Sequence, residues 1–315
     1  MSLPEPVTLA LREAGLDALY VEDLVRATLE EDLGGGPDVT SVATVPEEQW
    51  SSAVLESRES GVIAGLPVIE AVFAVVCGPD VEVERHLTDG ARVEPGSKVL
   101  TVRGRTRDVL LAERTALNLG CHLSGIATAT RAWTDAMAGT VAVVRDTRKT
   151  TALMRPLEKY AVRAGGGENH RSSLSEAALI KDNHVIAAGG VAEAYRAVKE
   201  AFPGIEVEVE VDDIDGALEA VEAGATFVLL DNFTVEEVLD AVKVIDGRAR
   251  IEVSGGLTLE RARAYAATGV DYLSVGSLTH SVMALDLGLD VVAVGSAEAV
   301  EESVGIDELA AGDAG

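Results

Sequence analysis

The sequence predicts an α/β protein with a β/α barrel in its second part, and two patterns support this fold class. From about residue 109 onward, short apolar runs alternate with stretches of helical periodicity, as in consecutive βαβ units of a parallel sheet. Before residue 109, helical segments precede a region where apolar residues recur at every second position, which indicates an antiparallel sheet. A chain of 315 residues is long enough for two such domains.

Two domains are assigned from this change in pattern. The first covers residues 1–108 and is rejoined by residues 283–315, because the last part of the chain has the pattern of a strand and a short helix. The second covers residues 109–282. Six or seven β/α units in sequence favour a closed or nearly closed barrel, and a doubly wound open sheet is the alternative.

The elements of the first domain follow from local periodicity and turn residues. Residues 19–33 and 66–77 have helical spacing, and Pro67 suits the first turn of a helix. Residues 81–103 alternate between apolar and polar positions. Within that range, Pro95-Gly96 is predicted to form the turn of a hairpin.

The elements of the second domain begin with a long helical stretch at residues 109–139. Six candidate strands follow, and most of the gaps between them contain a helical pattern such as VAEAYRAVKEAF or TVEEVLDAVKVI. The candidate strands are residues 141–145, 178–181, 205–211, 227–230, 249–253 and 272–275.

The charge balance excludes several classes of function. The chain has 26 basic and 53 acidic residues, a net charge of −27, so it lacks the basic surface that nucleic-acid-binding proteins need.

The distribution of apolar residues predicts neither a membrane span nor a signal peptide. No apolar run approaches the roughly 20 residues of a membrane span, and the N-terminus lacks the basic start and apolar stretch of a signal peptide. We therefore expect a cytoplasmic protein without nucleic-acid or membrane partners.

The same composition predicts adaptation to salt. Only six of the 26 basic residues are lysines, and the surface must be rich in acids. Such a surface suits high salt, because screening relieves the repulsion between like charges. We expect a halophilic protein, and an ordinary acidic cytoplasmic protein is the alternative.

Reactive side chains follow almost every candidate strand of the second domain. The carboxyl ends of barrel strands lie on one side, where the active sites of β/α barrels are found. We therefore expect these residues to form one pocket. In chain order, the strand ends are Arg145 to Thr150, Lys181 to His184, Glu210, Asp231-Asn232, Ser254-Gly255-Gly256 and Gly276-Ser277.

Positive charge is concentrated between residues 145 and 181, in spite of the negative net charge. Arginine binds carboxylates and phosphates through two hydrogen bonds at once, whereas lysine acts as a point charge. Cations at strand ends and in the stretch GGGENHR therefore predict a pocket for a polyanion. These cations are Arg148, Lys149, His170, Arg171 and Lys181. A second group, Arg155, Lys159 and Arg163, is interpreted more simply as salt-bridged surface residues.

The third candidate strand places its acids on one face. Because the sequence IEVEVEV alternates, Glu206, Glu208 and Glu210 are predicted to face the barrel interior while the valines face the helices. Buried carboxylates need cations. Glu210 and Asp231, at the ends of successive strands, are predicted to bind Mg²⁺ directly or through water. An internal salt-bridge network is the alternative, and both arrangements can coexist.

Two glycine-containing loops complete the predicted pocket. Ser254-Gly255-Gly256 and Gly276-Ser277 follow the last two strands, where barrels often bind a phosphate. Glycine lets the backbone approach a ligand, and two tight turns are the alternative interpretation. With the cations and carboxylates, these loops predict a site for a sugar phosphate with a magnesium-bound leaving group and a carboxylated acceptor.

The chain resembles the quinolinate phosphoribosyltransferase family, also called carboxylating nicotinate-nucleotide pyrophosphorylases. The resemblance runs from about residue 22 to about residue 290, and its most specific motifs are DTRKT, GGGENHR and IKDNH in this order. It implies an N-terminal α/β sandwich domain and a C-terminal, partly open β/α barrel. It also implies a homodimer, or a higher oligomer, in which each site borrows an arginine from a neighbouring subunit.

The resemblance also implies roles for single residues. Arg114, in the motif ERTALN, is the arginine lent by the neighbouring subunit. The stretch SSLSEA after Arg171 and the pair Cys121-His122 depart from the family pattern, and they affect only loop detail. The implied catalytic residues are Lys149, Lys181, Glu210 and Asp231, and the last two are the implied Mg²⁺ ligands. The implied substrate-binding residues are these four with Arg114, Thr147, Arg148, His170, Arg171, Ser254, Gly255, Gly256, Val275, Gly276 and Ser277.

The implied activity is that of a pentosyltransferase in de novo NAD biosynthesis. It converts quinolinate and phosphoribosyl pyrophosphate to nicotinate mononucleotide, pyrophosphate and CO₂, with Mg²⁺ as cofactor. Three alternatives remain: a related phosphoribosyltransferase with a different acceptor, a non-catalytic anion-binding barrel, and an isomerase or aldolase that uses Lys181 as a Schiff base.

Overall fold

The computed structural model describes residues 3–301, which form two compact units. The first unit runs to Thr128 and resumes at Met283, and the second unit is Ala129–Val282. The sequence pattern places the first domain's end at residue 108 instead. Residues 302–315, which belong to the predicted returning segment, lie outside the described residues.

The two units divide inside one helix, α5 (Thr106–Ala136). The first part of this helix belongs to the first unit because its hydroxyls bind a neighbouring loop there. Ser124 Oγ accepts a hydrogen bond from Ala64 N (3.1 Å), and Thr128 Oγ1 accepts one from Val62 N (2.9 Å). The change from strand-like to helical periodicity marks the start of α5. These contacts, in contrast, determine that the first unit ends within the helix.

Within the described residues, four helices precede α5 in the first unit. Helix α2 begins after Asp17, whose carboxylate accepts hydrogen bonds from Leu19 N (2.8 Å) and Tyr20 N (3.0 Å), and it ends at Gly34 with φ of 58°. The helices predicted at residues 19–33 and 66–77 are confirmed as α2 and α4. The four helices are α1 (Glu5–Glu13), α2 (Ala18–Leu33), α3 (Val39–Thr44) and α4 (Leu66–Cys77).

The first unit contains an antiparallel sheet with the strand order β12-β1-β5-β3. Strand β12 pairs with β1 from Ser57 opposite Leu287 to Trp50 opposite Gly295, so the returning segment completes this sheet. Strands β2 and β4 form a separate pair. The strands are β1 (Trp50–Ser57), β2 (Gly61–Val62), β3 (Glu82–Arg85), β4 (Arg92–Val93), β5 (Lys98–Arg105) and β12 (Leu287–Gly295).

The hairpin predicted around Pro95-Gly96 is wrong. Strand β5 pairs with β1 and β3, whereas β4 pairs with β2, so the two strands on either side of this turn are not partners. The turn itself is present, because Gly96 has φ of 84° and its N–H donates to Ser57 O (2.8 Å). Local alternation identified the strands, but their partners come from distant parts of the chain.

The second unit is a partly open β/α barrel, as the sequence and the resemblance predict. Its six parallel strands have the order β6-β11-β10-β9-β8-β7. Strands β7 to β11 follow one another in chain order and β6 lies beside β11, which is a barrel order and lacks the reversal of a doubly wound sheet. The strands are β6 (Val143–Arg145), β7 (Ala178–Ile180), β8 (Val207–Val211), β9 (Phe227–Asp231), β10 (Arg250–Ser254) and β11 (Tyr272–Ser274).

Helices connect the strands of the barrel. Helix α10 begins with a capping box, in which Glu237 N donates to Thr234 Oγ1 and Thr234 N donates to the Glu237 carboxylate. No helix in the described part of the chain has the length and apolar character needed to cross a membrane. The helices are α6 (Arg155–Ala164), α7 (Asp182–Ala188), α8 (Val191–Ala201), α9 (Ile214–Glu222), α10 (Val235–Ile245), α11 (Ala262–Ala266) and α12 (Ser277–His280).

The barrel is open between β6 and β7, and residues 165–171 run along this opening. Glu168 N donates to Val144 O (2.9 Å), and Asp146 N donates to Glu168 O (3.3 Å), so the segment pairs briefly with the end of β6. The same segment contains the predicted ligands His170 and Arg171. The opening of the sheet therefore determines where these two side chains enter the barrel.

Charged side chains occupy the interior face of the barrel sheet. Glu208 on β8 and Glu252 on β10 are both buried. Glu206 is exposed and pairs with Arg250, so it shares the face of Glu208 by strand alternation but is not buried with it. Glu206 precedes the first residue of β8, where the barrel meets solvent.

Candidate active site

A cavity of about 760 Å³ opens at the carboxyl ends of the barrel strands. The residues after β6, β7, β8, β9, β10 and β11 all contribute to its wall, because parallel strands end on the same side of the sheet. All the substrate-binding residues that the resemblance implies in the second unit line it: Thr147, Arg148, Lys149, His170, Arg171, Lys181, Glu210, Asp231, Ser254, Gly255, Gly256, Val275, Gly276 and Ser277. Of the other strand-end residues expected in the pocket, Asn232 lines it and the rest do not: Arg145, Asp146, Thr150, Asp182, Asn183 and His184.

Arg114 lies elsewhere in the chain, on α5 within the first unit. It was assigned to the site of a neighbouring subunit only through the family resemblance, and this assignment stays a prediction.

Hydrogen bonds to the backbone fix the loop that contains Arg148 and Lys149. The carbonyl of Lys149 accepts from Thr279 Oγ1 (2.8 Å), and the carbonyl of Arg148 accepts from Arg155 Nη2 (3.3 Å).

Two guanidinium groups form the cationic wall of the cavity. Arg171 Nη1 donates to Ala177 O (2.7 Å), which fixes the direction of its side chain. The Nε atoms of Arg148 and Arg171 are buried, and neither has a hydrogen-bond partner among the described residues. Burial and the nearby Arg148 lower the pKa of Arg171. Arg148 and Arg171 line the cavity, so an anion there could accept from these N–H groups, and a buried N–H without an acceptor is costly. Arg103 and Arg145 also have a buried Nε without an acceptor, but neither lines the cavity.

His170 joins this wall to the floor of the cavity. Its Nδ1 accepts a hydrogen bond from Arg171 N (2.9 Å), so the proton of the neutral ring lies on Nε2, which donates to Glu208 Oε2 (2.7 Å). Burial lowers the pKa of His170, which favours this neutral form. In this arrangement both ring nitrogens bind protein groups. The role of His170 in holding a substrate carboxylate therefore stays a prediction.

Glu252 forms the floor of the cavity, and Arg145 and Glu208 are linked to it or to His170 without lining the cavity themselves. Arg145 Nη1 donates to Glu252 Oε2 (2.9 Å), and its guanidinium lies 4.3 Å from the centre of the Tyr272 ring. Burial is the largest of several causes that raise the pKa of Glu208 to about 7 and that of Glu252 to about 7. Glu252 and Tyr272 were not among the predicted site residues, whereas Arg145 was expected there only as part of a strand end. In the strand RIEVS, as in EVEVEV, side chains alternate between the two faces of the sheet. Applying this alternation to RIEVS would have placed Glu252 on the interior face.

The opposite wall holds the predicted metal ligands and a lysine. Lys181 Nζ forms an ion pair with Glu210 Oε2, so the salt-bridge alternative holds for this acid. Asp231 accepts hydrogen bonds from Ser254 Oγ (2.6 Å) and Asn232 Nδ2 (2.7 Å). Both carboxylates line the cavity and offer only oxygen donors, which is the chemistry that Mg²⁺ prefers. The residues present therefore fit a magnesium ion.

The glycines of the late loops bring backbone to the cavity. Gly255 has φ of 84°, and a Cβ there would overlap the side chain of Asn232. A Cβ on Gly276 would lie 3.1 Å from Lys149 Cδ and 3.2 Å from His280 Nε2. His280 also lines the cavity and was missed by the sequence analysis. No motif singled it out, because a histidine in a short helix is not informative alone.

The second group of cations is not a set of surface ion pairs. Lys159 is 2% exposed and pairs with Asp146. Arg155 donates to Thr150 Oγ1 (3.0 Å) and to Ser172 O (2.9 Å), and so ties two loops of the site together. The interpretation of these two residues as salt-bridged surface side chains is wrong, because helix α6 turns them toward the barrel.

Comparison with known proteins agrees with the motifs. The chain matches the N-terminal domain of the quinolinate phosphoribosyl transferase family over residues 38–124 and the C-terminal domain over residues 126–290. It is 51% identical over 273 residues to a Mycobacterium leprae protein named nicotinate-nucleotide pyrophosphorylase [carboxylating], covering 85% of this chain and 96% of that one. A Bacillus subtilis protein described as a probable enzyme of the same name is 38% identical, with 91% and 98% covered.

Solved structures show the same similarity. The crystal structure of NadC from Streptococcus pyogenes matches with a TM-score of 0.84 and 39% identity, covering 88% of this chain and 99% of that chain. The nicotinate-nucleotide pyrophosphorylase from Francisella tularensis matches with a TM-score of 0.81 and 36% identity, covering 86% and 96%.

Replacing Glu252 with glutamine is expected to change how stability depends on pH. The pKa of Glu252 is raised from 4.5 to about 7 in the folded protein by burial and then by Glu208. Between these pH values the folded state keeps a proton that the unfolded chain releases, so the contribution of Glu252 to the free energy of unfolding falls as the pH rises. Relative to the wild type, Glu252→Gln should gain about 3 kcal/mol between pH 4.5 and pH 8, since the pKa lies at 4.5 in the unfolded chain and at about 7 in the folded protein, and one pKa unit corresponds to about 1.4 kcal/mol.

The measurement is urea unfolding of both proteins across that pH range. Glu236→Gln, at an exposed position of α10, is the matched control and should follow the wild type at every pH. Parallel curves for Glu252→Gln and the wild type would contradict the assignment of a raised pKa to this carboxyl.

Proposed function

The chain belongs to the quinolinate phosphoribosyl transferase family, and we infer that it converts quinolinate and phosphoribosyl pyrophosphate to nicotinate mononucleotide, pyrophosphate and CO₂ in NAD biosynthesis. One observation supports this function best. The cavity has two buried guanidinium N–H groups without acceptors on one wall and carboxylates with glycine loops on the other. A dianionic acceptor suits the first wall, and a ribose carrying phosphates suits the second.

The cationic wall is proposed to hold quinolinate. Arg148 and Arg171 would bind its two carboxylates, because planar guanidinium groups match carboxylates with two parallel hydrogen bonds. Held in this way, the ring nitrogen points across the cavity. His170 contributes by fixing the backbone of Arg171 in the arrangement described, and Thr147 lines the cavity beside Arg148.

The opposite wall is proposed to hold phosphoribosyl pyrophosphate. The backbone of Ser254-Gly255-Gly256 and of Val275-Gly276-Ser277 would bind its 5′-phosphate, since these loops have no bulky side chain in the way. Lys149 and Lys181 would neutralise the pyrophosphate. Glu210 and Asp231 would hold Mg²⁺, directly or through water, and would bind the ribose hydroxyl groups. The bound Mg²⁺ supplies positive charge for the leaving group.

Positioning and electrostatics are expected to provide most of the rate acceleration. As the bond from C1 of the ribose to pyrophosphate breaks, C1 becomes positively charged and the leaving oxygens become negative, so the lysines stabilise the transition state. The quinolinate nitrogen then bonds to C1 because both substrates are held in line. The resulting pyridinium nitrogen accepts the electron pair left when the adjacent carboxylate departs as CO₂. No covalent bond to the protein is needed.

We also propose that the active protein is a homodimer, or a higher oligomer, with shared sites. The proposal rests on Arg114 in the motif ERTALN, whose counterpart in the family is lent by the neighbouring subunit. A third cation at the diacid would help to neutralise a substrate that carries two negative charges. We further propose that the protein is cytoplasmic and salt-adapted, on the basis of its net charge of −27.

The activity is tested by incubating the protein with quinolinate, phosphoribosyl pyrophosphate and Mg²⁺, and by measuring product mass and CO₂ release. Nicotinate mononucleotide and CO₂ in equal amounts are the expected result. A mononucleotide that still contains both carboxylates, or product only with nicotinate as the acceptor, would instead indicate a related phosphoribosyltransferase without decarboxylation.

Arg148→Lys should weaken quinolinate binding selectively. The substitution keeps the charge but loses the two-pronged geometry, so the expected loss is about 2–3 kcal/mol, which is the scale of hydrogen bonds to charged groups. The affinity for phosphoribosyl pyrophosphate should change less. Calorimetric titration with each substrate measures the two effects, and equal losses would place Arg148 outside the quinolinate site.

Mixing two inactive variants tests the shared site. Arg114→Ala and Lys181→Ala should each be nearly inactive, because each removes one cation from every site. After subunit exchange, one site of a mixed dimer carries both lesions and the other carries neither, so about one site in four should be native. Activity that does not recover, although native mass spectrometry shows mixed dimers, would mean that Arg114 acts within its own chain.

Salt should stabilise the protein. With a net charge of −27, like charges repel one another in the folded state, and the screening length falls from about 10 Å at 0.1 M salt to about 3 Å at 1 M. The melting temperature should therefore rise between about 0.05 and about 3 M KCl, a range that brackets these screening lengths. A flat or falling melting temperature would refute the salt-adapted interpretation and leave the active-site assignment intact.

A further inference from the structure

A buried ion pair lies behind the cationic wall of the second unit and does not line the cavity. Asp146, directly after β6, has no exposed surface, and Lys159 on α6 is 2% exposed. Lys159 Nζ forms an ion pair with Asp146 Oδ1. Neither residue is needed to bind a substrate, so their burial requires another explanation.

The pair binds both backbone polar groups of His170. His170 N donates to Asp146 Oδ1 (2.9 Å), and Lys159 Nζ donates to His170 O (2.6 Å). Asn169 Nδ2 donates to the second oxygen of Asp146 and to Lys159 O (2.9 Å). The side chain of Asn169 and both backbone groups of His170, in the segment along the barrel opening, are therefore held by Asp146 and Lys159.

The arrangement has a cost that stability alone does not explain. Burial raises the pKa of Asp146 and lowers the pKa of Lys159, which means that each charge is held against a desolvation penalty. Apolar residues of similar volume often stabilise a fold as well as a buried ion pair does. They could not, however, bind an N–H and a carbonyl of the same residue in fixed directions. The contribution specific to this pair is the geometry of the segment.

That geometry extends to the cation that faces the cavity. Arg171 N donates to His170 Nδ1 (2.9 Å), and Arg171 is the next residue along the chain. A shift of the His170 peptide therefore moves the guanidinium of Arg171, whose Nε has no partner among the described residues. The loops proposed to bind the 5′-phosphate of the donor follow β10 and β11. Ser274 at the end of β11 donates to the backbone carbonyl of Asp146 (3.4 Å), a contact that a change of the Asp146 side chain retains.

We propose that Asp146 and Lys159 are positioning residues that fix the His170-Arg171 peptide and thereby determine the affinity for the dicarboxylate acceptor, with little effect on the phosphoribosyl donor. This inference rests on the proposed function, and it gives a role to Asp146, which begins the motif DTRKT, and to Lys159, neither of which lines the cavity.

The test removes the pair without leaving a lone buried charge. The double variant Asp146→Asn with Lys159→Met keeps the volumes nearly unchanged. We expect KM for quinolinate to rise about tenfold, the equivalent of about 1.4 kcal/mol, and KM for phosphoribosyl pyrophosphate to stay within about twofold. The melting temperature is measured in parallel, because a purely structural role would lower it and leave both KM values unchanged.

Two further variants make the result decisive. Asn169→Ala keeps the ion pair but removes the hydrogen bonds from Asn169 Nδ2 to Asp146 and to Lys159 O. It should raise KM for quinolinate by a smaller factor than the double variant does. This variant keeps the test available if the double variant does not fold. Lys199→Met is the matched control. Lys199 Nζ donates to the carbonyls of Pro203 and Ile205 (both 3.2 Å), which lie before β8, so both KM values should remain those of the wild type.

Two outcomes would overturn the inference: equal changes in the two KM values of the double variant or of Asn169→Ala, and unchanged KM values in both. The wild-type protein separates this test from that of the function. If it makes no nicotinate mononucleotide, the proposed function fails and this inference fails with it. If it makes the product and the variants show no difference between the two substrates, only the inference fails.

Discussion

Charge inside the barrel must be matched, and most features of the site follow from this constraint. A charge removed from water costs several kcal/mol unless a partner neutralises it. The interior meets this cost with the pairs Arg145–Glu252 and Lys159–Asp146, and the neutral ring of His170 donates a hydrogen bond to Glu208. Arg148 and Arg171 each keep a buried N–H without an acceptor among the described residues. In the cavity, an anionic substrate can therefore supply the acceptors and the negative charge that these two arginines lack.

The opening in the barrel makes this arrangement possible. In a closed barrel, a strand between β6 and β7 would use its backbone groups in the sheet and would alternate its side chains between the interior and the helices. Here the segment along the opening pairs only briefly with β6, through Glu168. Its backbone is therefore available for side chains such as Asp146 and Lys159 to hold. Because the segment is not a regular strand, the side chains of two adjacent residues, His170 and Arg171, can both line the same wall of the cavity.

The site and the surface of this protein have opposite electrostatic character. A net charge of −27 produces a field that repels anionic substrates, and the cations of the cavity oppose it only at short range. At low ionic strength the long-range repulsion extends furthest, because the screening length is longest. Salt shortens the reach of the surface charge more than it weakens contacts inside the cavity, because screening acts least over short distances. A protein with this surface can therefore combine an acidic exterior with a strongly cationic site.

The sequence by itself determined the strands, most helices and the polar residues at strand ends, because periodicity and turn residues are local properties of the chain. It also determined most residues of the cavity wall, since parallel strands must end on one side, but it did not identify Glu252 or His280. Only the tertiary structure decided that β6 lies beside β11, that the strands around Pro95-Gly96 are not partners, and that Lys159 is buried. These facts depend on contacts between residues far apart in the chain, such as Arg145 and Glu252, which are separated by 107 positions. Burial and pairing over such distances leave no local pattern in the sequence.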